Sequence, residues 1–412
     1  TVPVLRWAKQ QGGVTGYPHS DMRVDPPAYA RRSIARLDRD GDGLLDAAEA
    51  DAGLLPAPFA RIDADQNGRV SVEELTAAAD RAAHELPNLV LPAMQGAGAM
   101  EIFVSVPEGV CDFISAMDTG RVGEWNTWYH LLNCGFPLKV SGETDFPCMS
   151  STRVGQGRVY VRLAGGVSRV DSPREPRDRS RSERSASVGP AAIGRLDFTD
   201  WCRGLAAGRS YVSDGYAHAL EFTVSGTRPG EGDVSLDAPG TVDVHAQVAF
   251  AAELPKAVAY GTASAPGGRR EAGDTRLLHM PPTAETVRGG ERRVEVVVNG
   301  RVAASETLAA DGRIHSVTFR IPVERSSWIA LRQFPQLHTN PVNVLVAGQP
   351  IRASRDSARW CAESVELLWE NRSRFIAEPE REAARAAYDR ALDEYRRRAE
   401  QADQTGGPDP RG

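Results

Sequence analysis

The residues best equipped for chemistry in this chain are oxygen donors crowded into two twelve-residue stretches. The first runs Asp38-Arg39-Asp40-Gly41-Asp42-Gly43-Leu44-Leu45-Asp46-Ala47-Ala48-Glu49. The second runs Asp63-Ala64-Asp65-Gln66-Asn67-Gly68-Arg69-Val70-Ser71-Val72-Glu73-Glu74. Ca²⁺ takes six to eight hard oxygen ligands, and a loop offering them at positions 1, 3, 5, 7, 9 and 12 wraps the ion. In the first stretch Asp38, Asp40 and Asp42 offer side-chain oxygens, Leu44 its carbonyl, and Asp46 an oxygen directly or through water. Glu49 closes the set bidentately. Asp63, Asp65, Asn67, the carbonyl of Arg69, Ser71 and Glu74 repeat the pattern. Gly43 and Gly68 fall at position six, where the chain must turn sharply and a Cβ would obstruct. One such match could be chance; two in succession imply two Ca²⁺ sites rather than acid-rich surface turns.

Helices must position these oxygens. From Pro26 to about Leu86 the chain is Ala- and Arg-rich and helical in texture, broken only by the two acidic stretches. Flanking helices are expected over Ala28–Leu37, Asp46–Leu54, Phe59–Ile62 and Val72–Leu86. Position eight is apolar in both loops, Leu45 and Val70, as a short strand contact between paired loops requires. The whole resembles an EF-hand pair. A sensor of that kind exposes a Met-rich groove when it opens, yet no Met lies between Met22 and Met94. A structural, calcium-stabilised insert is therefore expected rather than a switch, and structural calcium favours a secreted or periplasmic setting.

Around this segment α and β signals alternate. A helix is read over Val4–Gly13, a strand over Gly13–Pro18, a strand over Met100–Val106 and an aromatic helix over Glu124–Leu132. A strand-like Pro137–Ser141 follows. Alternation of this kind suggests a parallel α/β unit. Ser168–Pro190 holds almost only Ser, Arg, Asp, Glu and Pro and cannot bury enough apolar surface to offset its ordering entropy, so it reads as a disordered loop. A helix over Asp197–Leu205 and strands over Ser210–Ser213 and Leu220–Val224 come next. From about Thr241 to Val346 the pattern is all-β: Thr241–Val248 alternates with period two, and Val294–Val298 runs into Asn299-Gly300, a strong hairpin signal. Such segments suggest a β-sandwich. The tail, Arg359–Asp403, returns to helix with opposite charges at helical spacing.

Several stretches outside the acidic segment share an order with a known superfamily. They are Arg6–Ser20, ending in His19-Ser20; Gly98-Ala-Met-Glu101-Ile-Phe; Trp128-Tyr-His130-Leu-Leu-Asn-Cys-Gly; Ser141-Gly-Glu143-Thr-Asp145-Phe; and Gly204–Gly215. Together they resemble the PHP (polymerase and histidinol phosphatase) metallohydrolases, in particular the CehA/McbA branch. The resemblance implies an α/β barrel with two or three metal ions at the carboxyl ends of its strands. Such metals acidify a bound water and polarise a phosphoryl or carbonyl oxygen. By position it makes His19 a ligand to Zn²⁺, Mn²⁺ or Fe²⁺, places Glu101 in or beside the same site, and puts Asp145 at the family's late Asp. Two features depart from the pattern. Pro147 stands where the family has His, and the early His-x-His pair, which lies upstream of the His19 strand in the family, occurs nowhere in the chain. The resemblance thus implies only a partial barrel, and a start at Thr1 without Met fits a processed protein or a piece of a longer one.

The resulting expectation is an α/β fold, a partial PHP-type barrel over residues 1–25 plus 86–226, with an all-α EF-hand insert at 26–85. A C-terminal β-sandwich at 227–355 and a helical tail at 356–412 complete it. His130, among Trp125, Trp128 and Tyr129, reads as a packed, satisfied histidine, His338 as structural, Asp118 as a turn residue, and Asp214 and His218 as pocket-bordering at most. Gly155-Gln-Gly157 lacks a phosphate-loop continuation and no Gly-x-Ser-x-Gly nucleophile elbow occurs. Net charge is only −6, which makes no case for nucleic-acid binding, and no apolar run approaches the roughly 20 residues of a membrane span. The five cysteines are scattered without CxxC or zinc-like spacing and read mostly as buried thiols. If active, the protein hydrolyses a phosphoester, ester or carbamate bond with divalent metal. The rival reading is a non-enzymatic, calcium-stabilised binding protein.

Overall fold

The structure, a computed structural model, describes residues 1–18, 22–95, 100–117, 120–143, 155, 157–164, 197–255 and 286–404. Helix α1 (Val2–Gln10) turns through Gly12 and Gly13 into the short strand β1 (Gly16–Tyr17). The helices α2 (Pro26–Leu37), α3 (Ala47–Ala52), α4 (Phe59–Ile62) and α5 (Val72–Ala82) then flank the two acidic loops, as their sequence texture indicates. Each long or loop-following helix starts on an oxygen cap: Asp25 accepts from Ala28 N, Asp46 from Ala48 N and Glu49 N, and Ser71 from Glu74 N. These contacts satisfy backbone donors that a first helical turn leaves unpaired.

The segment expected as a strand over Met100–Val106 is instead a helical turn, α6 (Ile102–Ser105), with Glu101 at its cap. The amides of Val104 and Ser105 both donate to the Glu101 carbonyl. All four α6 residues are buried. A short apolar run enclosed on every side carries no period, so sequence alone cannot separate strand from helix there.

Strand β2 (Phe113–Ser115) leads through α7 (Arg121–Asn133) to β3 (Lys139–Ser141), and β1, β2 and β3 pair in parallel in that order. A helical crossover is what parallel neighbours require. Twelve of the α7 residues are buried, so this helix is enclosed on all faces rather than amphipathic. Among the described residues the parallel sheet stops at three strands and no closed barrel forms. The expected disordered stretch Ser168–Pro190, like Asp118, lies outside the described residues.

Beyond β4 (Arg158–Val161), α8 (Phe198–Ala207) and β5 (Ser210–Ser213), the chain is largely β. Strands β6 (Ala217–Val224), β7 (Val234–Leu236), β8 (Gly240–Phe250), β9 (Glu253–Pro255) and β10 (Thr286–Arg288) come first. They are followed by β11 (Glu291–Val298), β12 (Arg301–Ala309), β13 (Ile314–Val323), β14 (Ser327–Gln333), β15 (Leu337–Thr339) and β16 (Val342–Val346). One sheet has the order β12-β11-β14-β15-β5-β4, with β16 joining β14 to β7; another is β13-β8-β6. The Asn299-Gly300 turn joins β11 to β12 with φ of 52° and 85°, the paired positive values that a two-residue hairpin needs. Along β8, Val242, Val244, Ala246, Val248 and Phe250 are buried, and they share one apolar cluster with Val294, Val296, Ile329 and Leu331 of the larger sheet.

Helices α9 (Arg355–Arg372) and α10 (Glu378–Gln404) close the chain and pack on one another. Their buried residues belong to the same core as α2, α5, α6 and α7. A polar seam ties α7 to the large sheet. His338 donates from Nδ1 to the Thr339 carbonyl (2.7 Å), so its Nε2 accepts from the Tyr129 hydroxyl at 2.6 Å. Arg332 donates to that hydroxyl (3.1 Å) and to Glu295 (2.7 Å). Trp328 donates its indole N–H to Asn133 at 2.8 Å.

Candidate metal centre

The two acidic loops adopt matching backbone paths. Asp38 accepts from the amides of Gly41 (2.6 Å) and Gly43 (2.9 Å), and Asp63 accepts from Asn67 (3.1 Å) and Gly68 (3.0 Å). Position three then holds position five: Asp40 accepts from Asp42 N and Asp65 from Asn67 N, both at 3.1 Å. Asp42 and Asn67 in turn accept from the amides of Leu44 and Arg69. The loops thus wind around their own carboxylates.

Position twelve is used identically in both. Glu49 accepts from Arg39 N (2.7 Å) and Asp46 N (3.0 Å); Glu74 accepts from Ala64 N (2.8 Å) and Ser71 N (2.9 Å). Each glutamate therefore ties the second residue of its loop to the ninth. These amide donors hold the Glu49, Glu74 and Asp38 carboxyls below the ordinary carboxylate range, because hydrogen bonds to the charged form favour it.

Gly43 and Gly68 have φ of 82° and 80°. Nothing lies within 4 Å of where a Cβ would stand on either. The demand for glycine is the left-handed backbone itself, not the crowding expected from the sequence. The loops meet through an antiparallel bridge, Leu45 with Val70, whose amides exchange bonds of 3.0 and 2.8 Å. Both side chains are fully buried, so position eight is where the loops share a core.

Ligand-type atoms converge in each loop to within 4.8 Å of one another: Asp38, Asp40 and Asp42 in the first, Asp63, Asp65 and Glu74 in the second. Such a group of anionic oxygens fits a hard divalent cation, and the neutral Asn67 and Ser71 oxygens fit the same ion. The loops differ in one respect that sequence reading missed. The Arg69 side chain, from the second loop, lies 3.5 Å from Asp42, 3.7 Å from Asp46 and 3.8 Å from Asp40 of the first. The Leu45–Val70 pairing sets residue 69 opposite residue 46, so the cross-strand partner of Arg69 was a usable signal.

The residues singled out by the metallohydrolase resemblance are not assembled here. His19 and Asp145 lie outside the described residues. Glu101 is half-buried at the start of α6; burial raises the pKa of Tyr17 and Tyr388, and the nearby Glu101 adds to both shifts. Among the described residues it joins no cluster of three metal-ligating side chains. Glu143 accepts from the Ser141 hydroxyl at 2.8 Å. His130 donates from Nε2 to the Asn88 carbonyl (2.8 Å), accepts at Nδ1 from Ser357 (2.9 Å) and stacks on Trp360. Burial pushes its pKa down to about 4; it is the packed, satisfied histidine its neighbours suggested. His338 is likewise buried and structural, pushed down to about 3 by burial. Asp214 is buried and bound to Gln336 (2.8 Å), and His218 meets the Tyr211 hydroxyl at 3.0 Å. Cys111, Cys134, Cys202 and Cys361 are thiols.

Comparison with known families agrees with the second loop: the EF-hand family matches residues 58–77, which span α4, the loop and the first half of α5. No curated protein and no solved structure matches the chain. No helix among the described residues is long and apolar enough to cross a membrane.

Proposed function

We propose that this chain is a calcium-binding protein in which two EF-hand loops act as a structural staple. Asp38, Asp40, Asp42, the Leu44 carbonyl, Asp46 and Glu49 hold one Ca²⁺. Asp63, Asp65, Asn67, the Arg69 carbonyl, Ser71 and Glu74 hold the other. The observation that carries this reading is the convergence of Asp63, Asp65 and Glu74 inside the stretch that matches the EF-hand family. The staple reading, rather than a switch, draws on the core that the flanking helices already share with α9 and α10. Arg36 of α2 reaches Glu363 of α9 at 2.6 Å, and Arg359 donates to the Ala52 carbonyl at 3.0 Å. These ties fasten α2 and the end of α3 to α9, which favours a staple over a switch. Calorimetry on the whole chain after EDTA treatment tests the proposal: two uptake events are expected. Absence of any heat of calcium binding overturns it.

In this reading the EF-hand pair spans 26–85 within an α/β unit of 1–25 plus 86–226, followed by a β-sandwich at 227–355 and a helical tail at 356–412. A second reading gives the α/β unit metal-dependent hydrolase chemistry on a phosphoester, ester or carbamate. One observation favours it: β1, β2 and β3 run parallel, and ligands of open α/β sheets gather beyond the carboxyl ends of parallel strands. His19 follows β1 in the sequence and Asp145 follows β3; with Glu101 they would hold Zn²⁺, Mn²⁺ or Fe²⁺. Metal analysis after EDTA and calcium readdition separates the readings. Retained zinc, manganese or iron supports the hydrolase, and calcium alone supports a binding or structural protein.

A further inference from the structure

We infer that Arg69 is a built-in competitor for the first calcium loop, so that the two loops fill unequally and the second loop fills first. The inference rests on the calcium reading above and concerns how the same pair of sites is regulated. Its basis is the placement of one cationic atom. Nη1 of Arg69 lies 3.5 to 3.8 Å from carboxylate oxygens of Asp42, Asp46 and Asp40. Those residues occupy positions five, nine and three of the first loop. Nη1 is shielded from solvent and donates no hydrogen bond to any of them. A guanidinium tied to one carboxylate normally forms short, forked bonds. Here the charge is shared among three acids without bonding any, which is how a cation sits in a field meant for a metal.

The second loop has no such intruder. Its position-twelve Glu74 already lies within 4.8 Å of Asp63 and Asp65, whereas the acids that converge in the first loop are Asp38, Asp40 and Asp42. Ca²⁺ entering the first loop must therefore displace a positive charge, while the second loop has its closing carboxylate beside its first ligands and no cation to displace. Arg69 also couples the sites. Its carbonyl is the position-seven ligand of the second loop, and its side chain leaves from the residue beside the Leu45–Val70 bridge. Ca²⁺ bound in the second loop fixes the backbone from which the guanidinium extends.

The test uses calcium calorimetry on the full chain with one loop disabled at a time. Glu74→Gln reports the first loop and Glu49→Gln the second, each with and without Arg69→Gln. Removing a charge that interacts with three partly exposed acids should tighten the first loop by about five- to tenfold. Any change in the second loop should be smaller, so the ratio of the two Kd values falls. Arg69→Lys, which keeps the charge, should leave the first loop within about twofold of its starting affinity on the same argument. An unchanged first loop, or an equal shift in both loops, overturns the inference while leaving calcium binding intact. No calcium uptake in any variant, the Arg69-intact chain included, instead overturns the calcium reading. Should Arg69→Gln not fold, NMR of the Arg69 side-chain N–H in the Glu74→Gln chain decides: a signal unmoved by calcium counts against displacement.

Discussion

The two acidic loops and the seam beneath α7 are both dense in polar groups, and they are built in opposite ways. Each loop takes all its oxygens from twelve consecutive residues and leaves several anionic groups facing one another. The seam gathers Tyr129, Glu295, Arg332 and His338 from segments far apart in the chain, Tyr129 and His338 being 209 positions apart. Its groups satisfy one another: donor meets acceptor from Glu295 through Arg332 and Tyr129 to His338 and the Thr339 carbonyl. An array of like charges depends on a cation from solution, whereas a closed network depends only on the fold around it. The two regions should therefore answer differently to calcium, to mutation and to pH.

The largest effect is expected at the seam. Trp328 is fully buried, donates to Asn133 and packs 5.1 Å from the Tyr129 ring. Trp328→Ala should cost about 3–5 kcal/mol of unfolding free energy, the usual range for emptying a buried aromatic site. Urea unfolding in calcium and in EDTA should give the same loss. A loss that depends on calcium would show that the two regions are not independent.

At the loops the effect should be large on binding and small on the apo fold. Glu74→Gln removes one anionic ligand, and the affinity of the second loop should fall at least about 100-fold, near 2.7 kcal/mol. The amide oxygen of Gln can still accept from Ala64 or Ser71, so unfolding in EDTA should change by less than about 1 kcal/mol. Equal losses in calcium and EDTA would mean that Glu74 serves the helix start alone.

How much of this was open to sequence reading follows from the same contrast. The backbone design of the loops was legible because a loop of this kind is a local code: Asp38 to Glu49 and Asp63 to Glu74 each carry their carboxylates, turn glycine and bridge residue within one stretch. The Asn299-Gly300 hairpin and the alternating β8 were legible for the same reason. The seam was not, since nothing near Tyr129 announces Arg332 or His338. Enclosure misled the reading at α6, where Ile102, Phe103 and Val104 look like a strand but are buried on all sides. Arg69 was read only for its carbonyl; seeing its side chain in the first loop needed the register of the Leu45–Val70 bridge. The metallohydrolase resemblance lent roles to His19 and Asp145, which lie outside the described residues, and to Glu101, which stands apart from both acidic clusters.

Acid should separate the regions by pH window. His130 and His338 are neutral when folded, with pKa values pushed down to about 4 and about 3 by burial. The unfolded chain takes up these protons near pH 6.5, the ordinary histidine value. Stability in EDTA should thus be full above that pH and fall as pH drops towards the folded values, by up to about 1.4 kcal/mol per pH unit for each histidine. The carboxyls of Asp38, Glu49 and Glu74 have lowered values. Their contribution is complete above the ordinary carboxylate range and is lost only as pH falls through the folded values, below the window where the histidines begin to act. His130→Gln should flatten the profile between pH 6.5 and 4 without altering calcium uptake at pH 7.

The smallest effect bears on whether the staple ever opens. Arg36 in α2 and Glu363 in α9 are 2.6 Å apart, with the arginine side chain 44% exposed and the glutamate 13%. An ion pair screened on one side is worth about 0.2–1 kcal/mol in a double-mutant cycle. Arg36→Ala, Glu363→Ala and the double variant should give that coupling both in calcium and in EDTA, because a staple keeps α2 on α9 whether or not the loops are filled. A sensor behaves otherwise: calcium changes the angle between its helices and exposes the apolar groove between them. Were α2 to move in that way, Arg36 would leave Glu363 and the coupling would vanish in calcium alone. The buried residues Tyr29, Ile34 and Leu37 argue for persistence, since they belong to one continuous apolar core that also takes in Trp360 and Leu368 of α9, and a core shared across helices resists separation in water.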